Sequence, residues 1–210
     1  MARHLGETGY KQTAFGILPR SKLIPLEVEG IKRAWDFVVK KSEEKEDMLT
    51  PHFLRDVHQE GFGWIFPDMG GMFRKIDVSV SHHTPPKFYL VPELMDGFLK
   101  DVCARMESLS KVGNDTFIDE LVILLAWAHH RFLWIHPFQD YNGRIGRILN
   151  NIILLSLGFP PIELKIETKP GRKAYVEALQ LADTGNFSGL EKIVRTALDE
   201  AAEKTKKLST

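Results

Sequence analysis

The chain has 210 residues, 43% of them hydrophobic, which is enough for one domain with a real core and excludes an intrinsically disordered chain. Lys plus Arg number 28 and Asp plus Glu number 28, so no net field draws the protein to nucleic acid or anionic lipid, and any polyanion must be held by a local cluster. A single cysteine, Cys103, excludes a disulfide framework and suits a reducing compartment.

Residues 1–24 carry scattered Gly and Pro and read as a loose arm. A helix is predicted from Leu26 to Lys41, with Ile31, Ala34, Trp35 and Val38 at spacings of three and four. The run Lys40–Asp47 is a solvated charge cluster. Thr50 is suited to cap a helix that Pro51 begins, with Phe53, Leu54 and Val57 as its apolar face. From Ile76 to Val80 the pattern changes: Ile76, Val78 and Val80 alternate with Asp77 and Ser79, a period of two that predicts a short exposed strand or hairpin ended by Pro85-Pro86. Pro92 starts the next helix.

The segment from Thr116 to His136 is apolar on nearly every face and is predicted to be the central buried helix, capped at Thr116 and stopped by Pro137. Its longest apolar run, Leu121–Ala128, is too short to cross a bilayer, and the first residues lack the layout of a secretion signal, so a cytoplasmic protein, or one delivered by a route that needs no such signal, is expected. A further helix runs from about Asn142 to Leu157, where Gly158 and Pro160-Pro161 end it. Two amphipathic helices follow. The fold class is all-α with one small β element, without internal repeats.

The stretch His136–Arg147, "HPFQDYNGRIGR", joins the two central helices. Ile145, Ile148, Leu149 and Ile152 form the buried stripe of the second, and Arg144, Arg147 and Asn151 lie on a polar face beside it. Two arginines in the first turns oppose the helix dipole, an unfavourable placement that reverses if an anion sits at that end. Gly143 would let backbone approach such an anion, and Asn142 could cap the helix or donate to a phosphate oxygen. Asp140 would repel a bare polyphosphate but suits a Mg²⁺ lying between them. His136, just before a proline, is a proton acceptor poised next to the phosphate site. Each part alone has a plain structural explanation; together they describe a phosphoryl- or nucleotidyl-transfer site.

The stretch resembles the signature of the Fic (Fic/Doc) family, HPFx-Asp/Glu-Gly-Asn-Gly/Lys-Arg-x-x-Arg, through His136, Pro137, Phe138, Asp140, Asn142, Gly143, Arg144 and Arg147. The likeness extends to Gly70–Leu99, similar to the Gly-x-x-Arg segment and β-hairpin flap of these domains, and to the C-terminal helices. On that basis the chain divides into an N-terminal arm and helix (1–49), a Fic-like catalytic domain (50–200) with a mainly helical Fic-type fold, and a tail (201–210). The resemblance implies Mg²⁺-dependent transfer of AMP from ATP to a Ser, Thr or Tyr hydroxyl of a target protein, releasing pyrophosphate. It implies His136 as base, Asp140 as metal ligand, and Asn142, Gly143, Arg144 and Arg147 as phosphate ligands. The flap residues Ile76, Asp77, Val78, Ser79, Val80, Ser81 and His82 would clamp the target by strand addition. Gly143 with Arg144 and Arg147 favours nucleotidyl transfer over the Doc-like kinases.

One departure stands out: Tyr141 replaces the family's first glycine. A binding module without chemistry, and transfer of another nucleotide or phosphocholine, therefore stand as alternatives. Many relatives restrain themselves with a Ser/Thr-x-x-x-Glu-Gly/Asn helix; no complete copy exists here, and Glu29, followed by Gly30, is the expected inhibitory residue. A separate antitoxin-like inhibitor and a homodimer stay open as partners. Lys173 and Tyr175 are more readily surface residues than base contacts. His129 and His130 point about 100° apart and cannot share one ion.

Overall fold

The computed structural model describes residues 10–80, 83–166 and 168–208. An antiparallel hairpin, β1 (Tyr10–Thr13) and β2 (Gly16–Pro19), leads without a break into α1 (Arg20–Glu43). Then come α2 (Pro51–His58), a wide π turn (Gln59–Gly63), α3 (Val91–Glu107), α4 (Phe117–Ile135), α5 (Asn142–Ser156), α6 (Lys169–Ala182) and α7 (Ser188–Leu208). The predicted all-helical fold with a small β element is what the chain adopts, with the two-stranded sheet at the N-terminus. Among the described residues no helix is long and apolar enough to cross a membrane.

The core explains the order. Helix α4 carries Leu121, Leu125, Ala126, Ala128, Phe132 and Ile135, all completely buried, and packs against α3, α5 and α7. The apolar stripe of α5 rests on it through Ile145, Leu149 and Ile152. Thr50 caps α2 as expected, its hydroxyl accepting from the Phe53 N–H at 3.1 Å. Thr116 precedes α4, but its side chain bonds to Asn114 and Ser110 instead of capping the helix.

Two stretches differ from their predictions. Of the supposed loose arm, residues 10–24 are the hairpin plus the first turns of α1, which starts at Arg20 rather than Leu26, and residues 1–9 lie outside the described residues. Pro25 lies inside the helix at an exposed position and forfeits one backbone bond. The stretch 76–80 forms no ladder; a single antiparallel bridge, Val80 to His83, closes its turn. Side chains hold it instead, because Asp77 accepts from the Phe88 N–H at 3.1 Å and pairs with Lys87 at 2.7 Å. Ser81 and His82 lie outside the described residues.

Helix α1 crosses the π turn where two glycines meet. A Cβ at Gly30 would fall 2.3 Å from the Gly61 carbonyl oxygen, so only a bare backbone fits. Gly30 is thus explained by packing. Gly30→Ala should lower stability by about 1–3 kcal/mol through overpacking, read as a drop in the urea midpoint with the slope unchanged.

Candidate active site

The loop between α4 and α5 turns twice through the left-handed region. His136 has φ 52° and ends α4; Tyr141 has φ 65° and precedes α5. Left-handed backbone is costly for a tyrosine, on the order of 1–2 kcal/mol, and the surroundings over-determine it. Asn142 is buried and spans the loop with both ends of its carboxamide, Oδ1 accepting from the Phe138 N–H at 2.9 Å and Nδ2 donating to the Phe138 carbonyl at 2.8 Å. Its side chain, expected to cap α5 or reach a phosphate, is committed to the loop. Phe138 is completely buried and anchors the turn, as its sequence position suggests.

Two residues fasten the loop from outside. Arg74, 3% exposed, donates to the carbonyls of His136 at 2.8 Å and Ile76 at 3.0 Å, and also to that of Pro86. It thereby ties the flap stretch to the histidine's own backbone. His58, at the end of α2, accepts from the Gly71 N–H through Nδ1 at 3.1 Å. Its proton is therefore on Nε2, which donates to the Asp140 carbonyl at 3.3 Å, while the ring stacks on Phe138 at 4.1 Å.

His136, Asp140, Asn142, Gly143, Arg144 and Arg147 surround one cavity of about 380 Å³ together with Lys11, Arg20, Glu27 and Tyr141. Six residues singled out from sequence are thus brought together. A Cβ on Gly143 would meet only the Arg147 guanidinium, at 3.7 Å. No protein packing requires glycine there, and the missing side chain leaves room above the first turn of α5. Burial pushes the His136 imidazole down to about 4, and its hydrogen bond to the Leu133 carbonyl does not compensate. The ring is neutral at physiological pH, with one nitrogen bonded to that carbonyl and the other able to accept a proton.

The opposite end of the cavity is cationic. Arg147 hydrogen-bonds Tyr175, whose hydroxyl lies 2.6 Å from His129 Nε2. Tyr175 is buried, not a surface residue, and its hydroxyl is pushed up to about 12 by that burial. His129 is directed to Tyr175 and His130 to Asp183 at 2.8 Å, so the adjacent histidines serve different contacts, as their helical spacing requires. Arg144 donates through Nη2 to Glu27 at 2.7 Å, while its Nη1 is buried without a hydrogen-bond partner.

Glu29 does not enter the site. It lies on the exposed side of α1, 3.3 Å from Arg33. Two residues earlier on the helix, about 200° around it, Glu27 points inward and is 1% exposed. Its carboxylate accepts from Arg144, from the Tyr141 hydroxyl at 2.9 Å and from Arg20 at 2.8 Å. Burial alone would raise its pKa; Arg144 above all, with Tyr141 and Arg20, outweighs burial and holds the carboxyl below its ordinary range. Sequence reasoning passed over Glu27, yet a signal existed: Leu23, Glu27, Gly30, Ala34 and Val38 share one buried stripe, and an acid on such a stripe needs a partner. The Tyr141 ring does not fill the cavity. It is 6% exposed and stacks on Phe62 at 4.0 Å, in the contact between the loop and the π turn.

Asp140 presents one oxygen to the cavity. Its Oδ1 accepts from the Tyr141 N–H at 2.7 Å and its Oδ2 meets the Lys11 ammonium at 2.5 Å. That oxygen accommodates a cation, and a single carboxylate suits Mg²⁺ when phosphate and water supply the other ligands. Among the described residues no cluster of three or more acidic, histidine or cysteine side chains offers a metal cage.

The model of the Fic/DOC family matches residues 48–154. A curated relative from Culex quinquefasciatus, "Protein adenylyltransferase Fic", is 31% identical over 161 residues, covering 77% of this chain and 30% of the relative. The chain thus spans less than a third of that relative's length. Fic-1 from C. elegans (residues 134–508) superposes with a TM-score of 0.66 at 24% identity, covering 88% of this chain and 52% of its own. The BepC protein of Bartonella tribocorum with bound AMPPNP superposes with a TM-score of 0.69 at 15% identity, covering 92% and 94%. These two show the shared fold.

His58, His129 and His136 are all held near 4, chiefly by burial, against an ordinary value of 6.5. The unfolded chain therefore binds more protons between those values, and stability is lost as pH falls from about 6.5 towards 4. For the fully buried His58 and His129 the loss is on the order of 3 kcal/mol each. Denaturant midpoints measured from pH 7 to pH 4.5 should fall steadily, and His58→Phe, which keeps the ring stack, should flatten part of that slope.

Proposed function

Because the chain belongs to the Fic/DOC family, we propose that it is a protein adenylyltransferase, moving AMP from ATP to a hydroxyl of a target protein with release of pyrophosphate. The observation that carries this reading is one cavity with a neutral imidazole, a cation-accepting carboxylate and two guanidinium groups around the start of α5. The relative named as an adenylyltransferase and the structural neighbour with bound AMPPNP support the same donor class.

In this reading Arg144, Arg147 and the backbone at Gly143 hold the phosphates, aided by the positive end of the α5 dipole. Asn142 serves by fixing the loop rather than by touching phosphate. Asp140 would hold Mg²⁺, which supplies charge neutralisation on the phosphate chain when bound. The target's hydroxyl oxygen attacks the α-phosphorus, its proton passes to the free nitrogen of His136, and the bond to the β-phosphate oxygen breaks as pyrophosphate leaves. Because His136 is neutral down to about pH 4, it is ready to accept that proton across the physiological range.

The flap stretch from Ile76 to His82 would present the target. Ile76 is 53% exposed, Asp77 and Ser79 also face solvent, and Arg74 fixes the backbone of this stretch to that of His136. A target segment docked there as an added strand would bring its hydroxyl towards His136. The natural setting is the cytoplasm, with the target as the principal protein partner. A separate inhibitory protein and a homodimer are compatible with this reading.

Purified protein incubated with α-labelled ATP, Mg²⁺ and a cell lysate should label one or more proteins. His136→Ala should reduce labelling by at least about a hundredfold, within the range for loss of a general base. Equal labelling by both would overturn the assignment. For the active protein the rate should be flat from pH 8 to about 5, unlike that of a base with an ordinary histidine pKa.

A further inference from the structure

We propose that Tyr175 is a positioning residue for the site: with His129 behind it, its hydroxyl holds the Arg147 guanidinium in place for the phosphate chain. The proposal rests on reading the cavity as a nucleotide site. It adds a buried support behind the cavity wall, since neither Tyr175 nor His129 lines the cavity itself.

The three side chains stand in series and come from α5, α6 and α4. Arg147 hydrogen-bonds the Tyr175 hydroxyl, which lies 2.6 Å from His129 Nε2. Chemistry fixes the direction of both bonds. A guanidinium can only donate, so the hydroxyl accepts from Arg147 and its single proton is left for His129. The imidazole is neutral, because burial pushes it down to about 4, and its Nε2 is the acceptor. Its own proton is then on Nδ1, which faces the Gly146 carbonyl without reaching full hydrogen-bond geometry.

Packing alone does not call for these groups. Tyr175 is 7% exposed and His129 is 1% exposed. Phe and Leu at those positions would fill space without burying a hydroxyl and an imidazole. The backbone is shaped to suit them. Gly146 precedes Arg147 on α5, and a Cβ there would stand 3.4 Å from His129 Cε1 and 3.2 Å from Phe132 Cδ1. The missing side chain lets α5 close on the imidazole. Helix α6 is fixed a second time at its far end, where His130 meets Asp183 at 2.8 Å and lies edge-on to Phe187 at 5.3 Å. The tyrosine is therefore held at a set height beside the arginine.

A neutral holder suits the task. An arginine side chain gives up rotamer entropy when it clasps a ligand, and a guanidinium already tied to a rigid neighbour has lost part of it beforehand. A carboxylate would tie it equally well but would cancel its charge and repel phosphate. The Tyr175 hydroxyl, pushed up to about 12 by burial, stays uncharged and leaves the positive charge for the anion. His129 completes the arrangement by taking the hydroxyl's proton, which turns the oxygen lone pairs towards Arg147.

The test uses full-length protein carrying His136→Ala, so that binding is measured without turnover. Calorimetry with Mg²⁺–ATP and, separately, Mg²⁺ with inorganic tripolyphosphate compares this parent with versions that add Tyr175→Phe, Arg147→Ala, both together, His129→Leu or His129→Gln. Tyr175→Phe keeps the ring and removes the acceptor, and should weaken both ligands by roughly tenfold or more, the worth of one hydrogen bond to a charged group. In the Arg147→Ala background the same change should cost nothing further, because its effect passes through that guanidinium. A merely structural loosening would cost the same in both backgrounds. His129→Leu should weaken binding in the same direction, and His129→Gln, whose carboxamide oxygen can accept in place of Nε2, should restore most of it. Should Tyr175→Phe melt early, the two His129 variants decide. The proposal is overturned if Tyr175→Phe, or in its stead His129→Leu, binds both ligands as tightly as the parent, if the loss is equal with and without Arg147, or if none of the proteins binds either ligand. Transfer of label, assayed with His136 intact, judges the adenylyltransferase reading separately: a coupled loss of polyphosphate binding without transfer sinks that reading and leaves the positioning role standing, and transfer with an additive pair of substitutions does the reverse.

Discussion

The site depends on a loop that must reverse direction between two long buried helices and still present its polar groups to one hollow. The double hydrogen bond from the Asn142 carboxamide to the backbone of Phe138 makes this possible. It closes the turn from within, so that His136 and Tyr141 can both occupy left-handed backbone without the loop relaxing. Phe138 plugs the underside, and the neutral His58 imidazole joins the Asp140 carbonyl to the Gly71 amide. Arg74 does the same for the His136 carbonyl. Each outer fastening is a buried polar group that satisfies main-chain atoms which would otherwise be orphaned by an irregular loop.

Much of this was legible in the sequence, and what was not has a common reason. Helix α4 announced itself by apolar residues on all faces, and α5 by the spacing of Ile145, Ile148, Leu149 and Ile152. The gathering of His136, Asp140, Asn142, Gly143, Arg144 and Arg147 followed because they lie within one short turn, where local geometry leaves little choice. The missed residues act across long sequence separations. Glu27 reaches a residue 117 positions on, and Lys11 one 129 positions on. No local pattern encodes such meetings. Gly30 misled in the same way, because beside Glu29 it looked like half of an inhibitory motif, when it marks the point at which two backbones touch. Among the described residues the flap stretch forms no ladder, and Asp77 bonds the chain from the side instead.

Tyr141 shows how a departure from a family pattern can be absorbed. Its backbone keeps the left-handed turn that glycine would adopt freely, and its ring goes where α1, the π turn and the loop converge, against Phe62 and near Phe66. The Arg144 guanidinium lies 5.0 Å from the same ring. One substitution thus links the N-terminal helix to the turn that builds the site, and the stacking offsets part of the backbone strain.

The closed carboxamide bridge of Asn142 has a thermodynamic corollary. A turn already frozen by its own bonds loses almost no conformational freedom when a guest arrives, so the ordering entropy that commonly weakens association at loops is absent here. Any rearrangement on binding then falls outside this turn, and a heat-capacity or entropy signature of complex formation would report on other segments rather than on the turn bearing the imidazole.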